Sequence, residues 1–212
     1  MRTFAWAAGA FIVGTLPSPY VIAKVARRND VIAEMRRPDS AGDAHFLLGK
    51  QVSKAAGVVA IIADMLKGFF PALAARITDQ PASTLAWVGV AAVAGHSFAP
   101  FLRAIGGRGL TTAAGVSLVI VPKAMIATGV IALVGTIARA GGLATGVGFA
   151  LLAVFAAVFG YAAPLVWMAA GVFALIAIRR LEGVGDDRRG GVPVAKAVVG
   201  RVLWDLPNGR HS

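Results

Sequence analysis

Long apolar stretches separated by short polar ones dominate the chain. Six of them stand out, at roughly 4–23, 55–75, 83–102, 111–138, 143–160 and 162–178. Most are close to the about 20 residues that a helix needs to cross a bilayer. They are rich in Ala, Gly and Val, and small residues let membrane helices approach closely. The pattern predicts an all-α integral membrane protein, a compact bundle of about six to seven transmembrane helices, some short or kinked.

Prolines mark the first and the fourth of these segments. The fourth is longer than one span and contains Pro122-Lys123. Proline removes a helical hydrogen bond and lysine is costly in lipid, so this segment is predicted to be kinked, split or lining a polar cavity. The first contains Gly14-Thr15-Leu16-Pro17-Ser18-Pro19. Prolines inside a span free backbone carbonyls where helices pack or a cavity forms, so we assign this motif a structural role first.

Composition narrows the class of protein. The chain is 58% hydrophobic with a formal net charge of +11. Its basic residues lie between and after apolar runs, as membrane topology requires, and form no patch typical of nucleic-acid binding. The absence of cysteine excludes disulfides and thiolate catalysis. The three histidines show no metal-ligand spacing, so we expect neither a metal nor a cofactor.

The distribution of Lys and Arg predicts the topology. Basic residues concentrate in the stretch after the first segment, in residues 103–108 and in the C-terminal tail. The positive-inside rule puts these parts in the cytoplasm and the N-terminus outside, which needs an odd number of crossings. A split fourth segment would supply the seventh. The first segment lacks a convincing cleavage site and is interpreted as a retained helix.

The last part of the chain differs in composition from the rest. We predict a transmembrane domain at 1–182 and a basic cytoplasmic tail at 183–212. The tail is mildly amphipathic from Val192 to Leu206, which fits a segment lying on the anionic leaflet. A disordered tail is the equal alternative.

The stretch 95–112 carries the strongest candidate chemistry. His96 lies toward the cytoplasmic end of the third segment, where it could face a substrate hydroxyl or phosphate, or simply anchor a helix end. The following Gly106-Gly107-Arg108-Gly109 exposes backbone N–H groups beside a guanidinium, a combination that suits a phosphate. Thr111 or Thr112 could cap the next helix, whose N-terminus also favours an anion. A plain flexible loop remains the alternative.

Two charges lie inside the second apolar segment. Asp64 and Lys67 are three residues apart and share one helix face. In lipid both would be expensive unless paired or facing a cavity. The alternatives are a structural ion pair and a lysine that contributes positive charge to an anion site.

The order of these motifs resembles that of the PlsY-type acyl-phosphate:glycerol-3-phosphate acyltransferases, an integral membrane family of bacteria. The family's Gly-Ser-Ile-Pro turn is similar to residues 14–17, and its Asp-x-x-Lys-Gly to residues 64–68. Its most specific string is Gly-His-x-Phe-Pro-x-Phe-Leu, then Gly-Gly-Lys-Gly and a nearby Thr. The matching positions are Gly95, His96, Phe98, Phe101, Leu102, Gly106, Gly107, Arg108, Gly109 and Thr112. The resemblance covers about residues 10–183, with arginine for lysine at 108 and alanine for proline at 99.

The stretch after the first segment departs from the family. The family has Ser-Gly-Asn-x-Gly-x-Thr-Asn followed by an arginine, in a loop that helps to bind the phosphate-bearing substrate. Here Ser40 survives and Lys50 takes the arginine's place, but the asparagines and the threonine are absent. His45 and Asp43 could substitute for them.

The resemblance implies an enzyme of phospholipid biosynthesis in the bacterial inner membrane. It would transfer an acyl group from acyl phosphate to the 1-hydroxyl of glycerol 3-phosphate, giving lysophosphatidic acid and phosphate. His96 and Arg108 would be catalytic. The other implied phosphate-binding residues are Ser40, Lys50, Lys67, Gly106, Gly107, Gly109 and Thr112. The alternative is a degenerate member that binds an anionic lipid or a protein partner, or that uses another acceptor. A transporter is a weaker one, because no paired inverted halves are visible.

Overall fold

The regular structure of the described residues is helical. A computed structural model describes residues 1–36, 44–99, 107–181 and 184–201, and no strand occurs within these ranges. The helices are α1 Arg2–Gly14, α2 Ser18–Val25, α3 Asn29–Met35, α4 Ala44–Gln51, α5 Lys54–Ile77, α6 Ala82–Ser97, α7 Leu110–Ile120, α8 Pro122–Ile137, α9 Gly141–Val158, α10 Ala163–Leu181, α11 Val184–Arg189 and α12 Val194–Val199.

Several helices are suited to a bilayer. The α1–α2 stretch Arg2–Val25, α5, α9 and α10 are long and apolar enough to cross a membrane, while α7 and α8 are shorter apolar helices. The predicted all-helical membrane class is therefore confirmed. The long fourth apolar segment does split, because α7 ends at Ile120 and α8 begins at Pro122. Proline lacks an N–H and suits the first position of a new helix. Lys123 consequently lies exposed in the first turn of α8.

The stretch after the first apolar segment is more ordered than its polar sequence suggests. It contains α3 and α4, whose apolar residues pack with those of α2 and α5 in one cluster that includes Val31 and Leu48. Tyr20 donates a hydrogen bond to the carbonyl of Met35 at 3.1 Å. An amphipathic helix of this length is marginal alone, so packing against the longer helices stabilises it.

Glycines set the spacing of the helices in the first of two compact units, residues 1–120. A Cβ on Gly95 would collide with the carbonyl of Phe11, and a Cβ on Gly14 with that of Ala92. These collisions show that α1 and α6 touch backbone to backbone. Gly115 plays the same part between α7 and Met65 of α5. The close packing expected from small residues is thus present.

The second unit, residues 121–212, contains the remaining helices. Thr128 of α8 donates to the carbonyl of Gly148 in α9 at 3.1 Å, again where a glycine allows close approach. In the tail, Arg201 forms an ion pair with Asp187 and so lowers the pKa of that carboxyl. The predicted division at residue 182 stays a prediction.

Candidate active site

A buried ion pair lies on α5. Lys67 Nζ is 2.6 Å from Asp64 Oδ1, and the two side chains are 6% and 0% exposed. Lys67 also donates to the carbonyl of Leu16 at 2.8 Å. That carbonyl lies in the break between α1 and α2, where it also accepts the N–H of Ser18 at 3.0 Å. The proline-rich interruption therefore provides a backbone acceptor for the buried lysine. Lys67 and Asp64 do form an ion pair, and the contribution of Lys67 to an anion site stays a prediction.

His45 binds the other oxygen of the same carboxylate. Its Nε2 is 2.5 Å from Asp64 Oδ2, and its side chain is 20% exposed. The helices that carry the two residues are in close contact. A Cβ added to Gly57 would lie 2.9 Å from the carbonyl oxygen of His45 and 2.9 Å from Gly49 Cα. Glycine at 57 thus lets α4 approach the backbone of α5, two turns before Asp64 and on the same face.

His96 lies beside the ion pair at the end of α6. It is 6% exposed, and its Nδ1 is 3.9 Å from Asp64 Oδ1. The contact of Gly95 with the backbone of Phe11 fixes this end of α6 against α1. On the other side of the ring, a Cβ on Gly107 would lie 2.8 Å from His96 Cε1 and even closer to Nε2. The imidazole therefore has one edge toward a carboxylate and the other toward the glycine-rich turn.

That turn leads directly into α7. Gly109 has φ +83°, a left-handed conformation that other residues rarely adopt. The N–H of Ala113 donates to the Gly109 carbonyl at 2.8 Å, so the helix is capped at Gly109 and begins at Leu110. The expectation that Thr111 or Thr112 caps this helix is wrong, because both lie inside its first turn.

Thr112 instead links α7 to α5. It is fully buried, and its hydroxyl donates to the Asp64 carbonyl at 2.9 Å. A Cβ on Gly68 would lie 3.0 Å from Thr112 Cγ2. Arg108, between Gly107 and Gly109, is partly buried just before this helix. Its predicted phosphate contact, like that of Thr112, stays a prediction.

The structure gathers only some of the predicted residues. Lys67 and His96 lie at the Asp64 carboxylate, Thr112 donates to the Asp64 carbonyl, and Gly107 lies against the ring of His96. Lys50 is exposed and is about 140° around α4 from His45, since successive helical residues turn by about 100°. Helix α4 therefore does not present it to the same cluster. Ser40 and Gly106 lie outside the described residues.

The sequence gives little indication of two members of the cluster. It presents Asp64 only as the partner of Lys67, and His45 only as a substitute in an altered motif. The one available signal was the high cost of an intramembrane carboxylate, which indicates that basic partners exist without identifying them. Asp64 thus forms a site of one carboxylate and three basic side chains with His45, Lys67 and His96.

Imidazoles and a carboxylate are also metal ligands, but this cluster is arranged differently. The Lys67 ammonium lies against the carboxylate where a metal cation would bind. Within the part of the chain that the structure describes, no group of three or more His, Cys, Asp or Glu residues is placed to hold a metal ion.

Comparison with known proteins fits this geometry. A family model described as glycerol-3-phosphate acyltransferase matches residues 4–185. The chain belongs to the glycerol-3-phosphate acyltransferase family. A family member of that name from Trichlorobacter lovleyi is 33% identical over 121 residues, 57% of this chain and 60% of that protein. One from Endomicrobium trichonymphae is 36% identical over 106 residues, 50% of this chain and 51% of that protein. The chain thus spans only 51–60% of the length of these relatives.

Solved structures extend the similarity to most of the chain. A crystal structure of PlsY, an integral membrane glycerol 3-phosphate acyltransferase in its glycerol 3-phosphate form, has a TM-score of 0.74 at 26% identity. The match covers 90% of the present chain and 94% of the PlsY chain. The lysophosphatidic acid form has the same TM-score at 24% identity and supports the fold. The family resemblance and the multi-pass membrane fold predicted from the sequence are confirmed.

Proposed function

We propose that this chain transfers an acyl group from acyl phosphate to the 1-hydroxyl of glycerol 3-phosphate. The observation that carries the proposal is the placement of His96 between Asp64 and the Gly107 turn. Membership of the family supports the reaction class. In the reaction, the hydroxyl oxygen attacks the acyl carbon and the bond from that carbon to the phosphate oxygen breaks. The products are lysophosphatidic acid and phosphate.

His96 is proposed to orient the attacking hydroxyl and to accept its proton. If Asp64 accepts the Nδ1–H, then Nε2 is the unprotonated nitrogen and faces the Gly107 side. In enzymes with a Ser-His-Asp triad, a carboxylate likewise fixes the histidine tautomer and stabilises the imidazolium. The departing phosphate is the alternative proton acceptor. Because that phosphate is a good leaving group, no covalent enzyme intermediate is required.

The phosphates are proposed to bind the positive elements around this histidine. Backbone N–H groups of residues 106–109 and the Arg108 guanidinium would hold one phosphate at the start of α7. Lys67 has three N–H donors, and its contacts to Asp64 and Leu16 use two. The third would reach a substrate phosphate. The contributions of Ser40 and Lys50 stay predictions, and α4 does not present Lys50 to this cluster. The Thr112 hydroxyl would act by holding Asp64 in place.

The membrane setting follows the same proposal. The acyl tail would lie among the apolar helices, so that only the phosphate head and the acyl carbon reach the polar cluster. We infer an orientation in the bacterial inner membrane with the N-terminus outside, and with the catalytic residues and the tail facing the cytoplasm. The excess of Lys and Arg in these parts supports this orientation.

Phosphate release by the purified protein in detergent tests the function. With palmitoyl phosphate as donor, release should require glycerol 3-phosphate and should yield lysophosphatidic acid. His96→Ala should lower turnover by about 10²–10⁴-fold, the usual contribution of a general base. Arg108→Ala should raise the KM of a phosphate substrate about tenfold, as loss of a charged hydrogen bond would. Arg188→Ala, at an exposed arginine of α11, is the matched control.

The outcome separates the enzyme from a protein that only binds an anionic lipid or a partner. Turnover that depends on both substrates and on His96 supports acyl transfer. If the folded protein releases no phosphate beside an active relative, or if His96→Ala is fully active, the proposal is overturned. Release without an acyl acceptor product would indicate a hydrolase instead.

A further inference from the structure

His45 has no part in the proposed chemistry, yet it makes one of the shortest polar contacts of the first unit. Its Nε2 is 2.5 Å from Asp64 Oδ2. The Nε2–H can donate in the neutral ring or in the imidazolium, so the contact does not depend on the charge of the histidine. His45 lies in the altered stretch in which the family's asparagines and threonine are missing.

Backbone packing, rather than a flexible side chain, sets this contact. Gly57 admits both the His45 carbonyl and Gly49 Cα, so α4 is held at two points one turn apart. The Ser53 hydroxyl accepts the N–H of Ala56 at 3.1 Å and fixes the start of α5. These contacts fix α4 against the start of α5, so the His45 imidazole has little freedom to move away from Asp64.

The two carboxylate oxygens of Asp64 have different partners. Oδ2 is bound by His45, while Oδ1 is bound by Lys67 at 2.6 Å and lies 3.9 Å from His96 Nδ1. The terminal torsion of an aspartate is soft and roughly two-fold. Without a partner on Oδ2, the carboxylate could rotate and turn Oδ1 away from His96. The distance and angle between Asp64 Oδ1 and His96 Nδ1 would then change.

We propose that His45 is a positioning residue, which holds Asp64 so that Oδ1 remains directed at His96 and Lys67. The inference rests on the proposed acyl transfer for its kinetic consequence. It concerns the orientation of His96 rather than substrate binding. Loss of His45 should therefore reduce kcat and leave the KM of both substrates nearly unchanged.

Three substitutions at this position form the test. His45→Gln keeps an N–H donor at about the place of Nε2, His45→Asn is too short to reach, and His45→Leu has no donor. The Leu and Asn variants should lose about 10-fold or more in kcat, by analogy with the loss seen when the hydrogen-bond partner of a metal ligand is removed. The Gln variant should recover most of the wild-type rate. Phe46→Leu, at the exposed neighbouring residue, should be unaffected.

A second readout separates this inference from the proposed function. The ring nitrogens of His96, observed by 15N NMR of histidine-labelled protein in detergent, should shift in His45→Leu and not in His45→Gln. An inactive wild type with that same pattern of shifts would reject the acyltransferase proposal but uphold the positioning role. Unchanged His96 resonances in His45→Leu, or equal kcat in wild type and His45→Leu, would overturn it. So would a Gln variant as impaired as the Leu variant.

Discussion

Asp64 and Lys67 lie one turn apart on α5, with Oδ1 and Nζ separated by 2.6 Å inside a segment apolar enough to cross a membrane. A charge buried without a partner would be strongly destabilising there. The pair is not isolated, because the lysine also reaches the Leu16 carbonyl and the aspartate also reaches His45. This network joins the break after α1 to the start of α4.

Removing one charge should cost more stability than removing both. Asp64→Leu leaves Lys67 buried and unpaired, so we expect a loss of about 3–5 kcal/mol in the free energy of unfolding. Asp64→Leu combined with Lys67→Met should recover much of that loss, since an apolar pair of similar volume is often tolerated. Thermal unfolding in detergent measures both. Activity should be absent from both variants, and a double variant less stable than Asp64→Leu would contradict this account.

Gly107 is expected to be essential because of the ring beside it. A Cβ there would press on His96 Nε2 and Cε1, so Gly107→Ala should displace the imidazole and reduce turnover by about 10²-fold. The matched control is Gly129→Ala in α8, where an added Cβ meets nothing within 4 Å. That control should be fully active, and slightly more stable from its helix propensity. A fully active Gly107→Ala would show that the ring and the turn move apart during turnover.

Thr112 offers a test between a structural and a substrate-binding role. Thr112→Val removes the hydrogen bond to the buried Asp64 carbonyl and should cost about 1–3 kcal/mol of unfolding free energy. Thr112→Ser keeps the hydroxyl and should stay closer to wild type. Unfolding temperatures and the KM of glycerol 3-phosphate should be measured together. A raised KM without lost stability in Thr112→Val would favour direct phosphate contact.

The ion pair between Arg28 and Asp30 at the start of α3 should make the free energy of unfolding depend on pH. Arg28 donates to Asp30 at 2.6 Å, and this bond lowers the pKa of the carboxyl to about 2, from an ordinary value of 3.8. A lowered pKa contributes stability above the ordinary value, and that contribution is lost as the pH falls toward the lowered one. Asp30→Asn should therefore unfold at a slightly lower temperature near neutral pH.

The difference between wild type and Asp30→Asn should shrink below about pH 4 and vanish near pH 2, as the wild-type carboxyl takes up its proton. Because the pair is exposed, the effect is small at any pH. A difference that persists unchanged into strong acid would show that helix geometry, rather than the ion pair, is responsible.

The long apolar segments by themselves determined the membrane class, and Pro122 marked the fourth segment as one that is kinked, split or lining a cavity. These are local properties, since bilayer thickness sets segment length and a missing N–H ends a helix wherever it falls. The order of short motifs likewise sufficed for the family. Packing of α3 and α4 was not visible, because short amphipathic helices depend on distant contacts for their stability.

Only the tertiary structure decided which side chains share Asp64. His45, Lys67 and His96 come from three different helices, and their separation along the chain says nothing about distances of 2.5–3.9 Å. Close approach at Gly57, Gly95 and Gly107 brings them together, and a glycine in the sequence does not reveal which backbone it will touch. The cost of a buried carboxylate made partners necessary, and helix packing selected them.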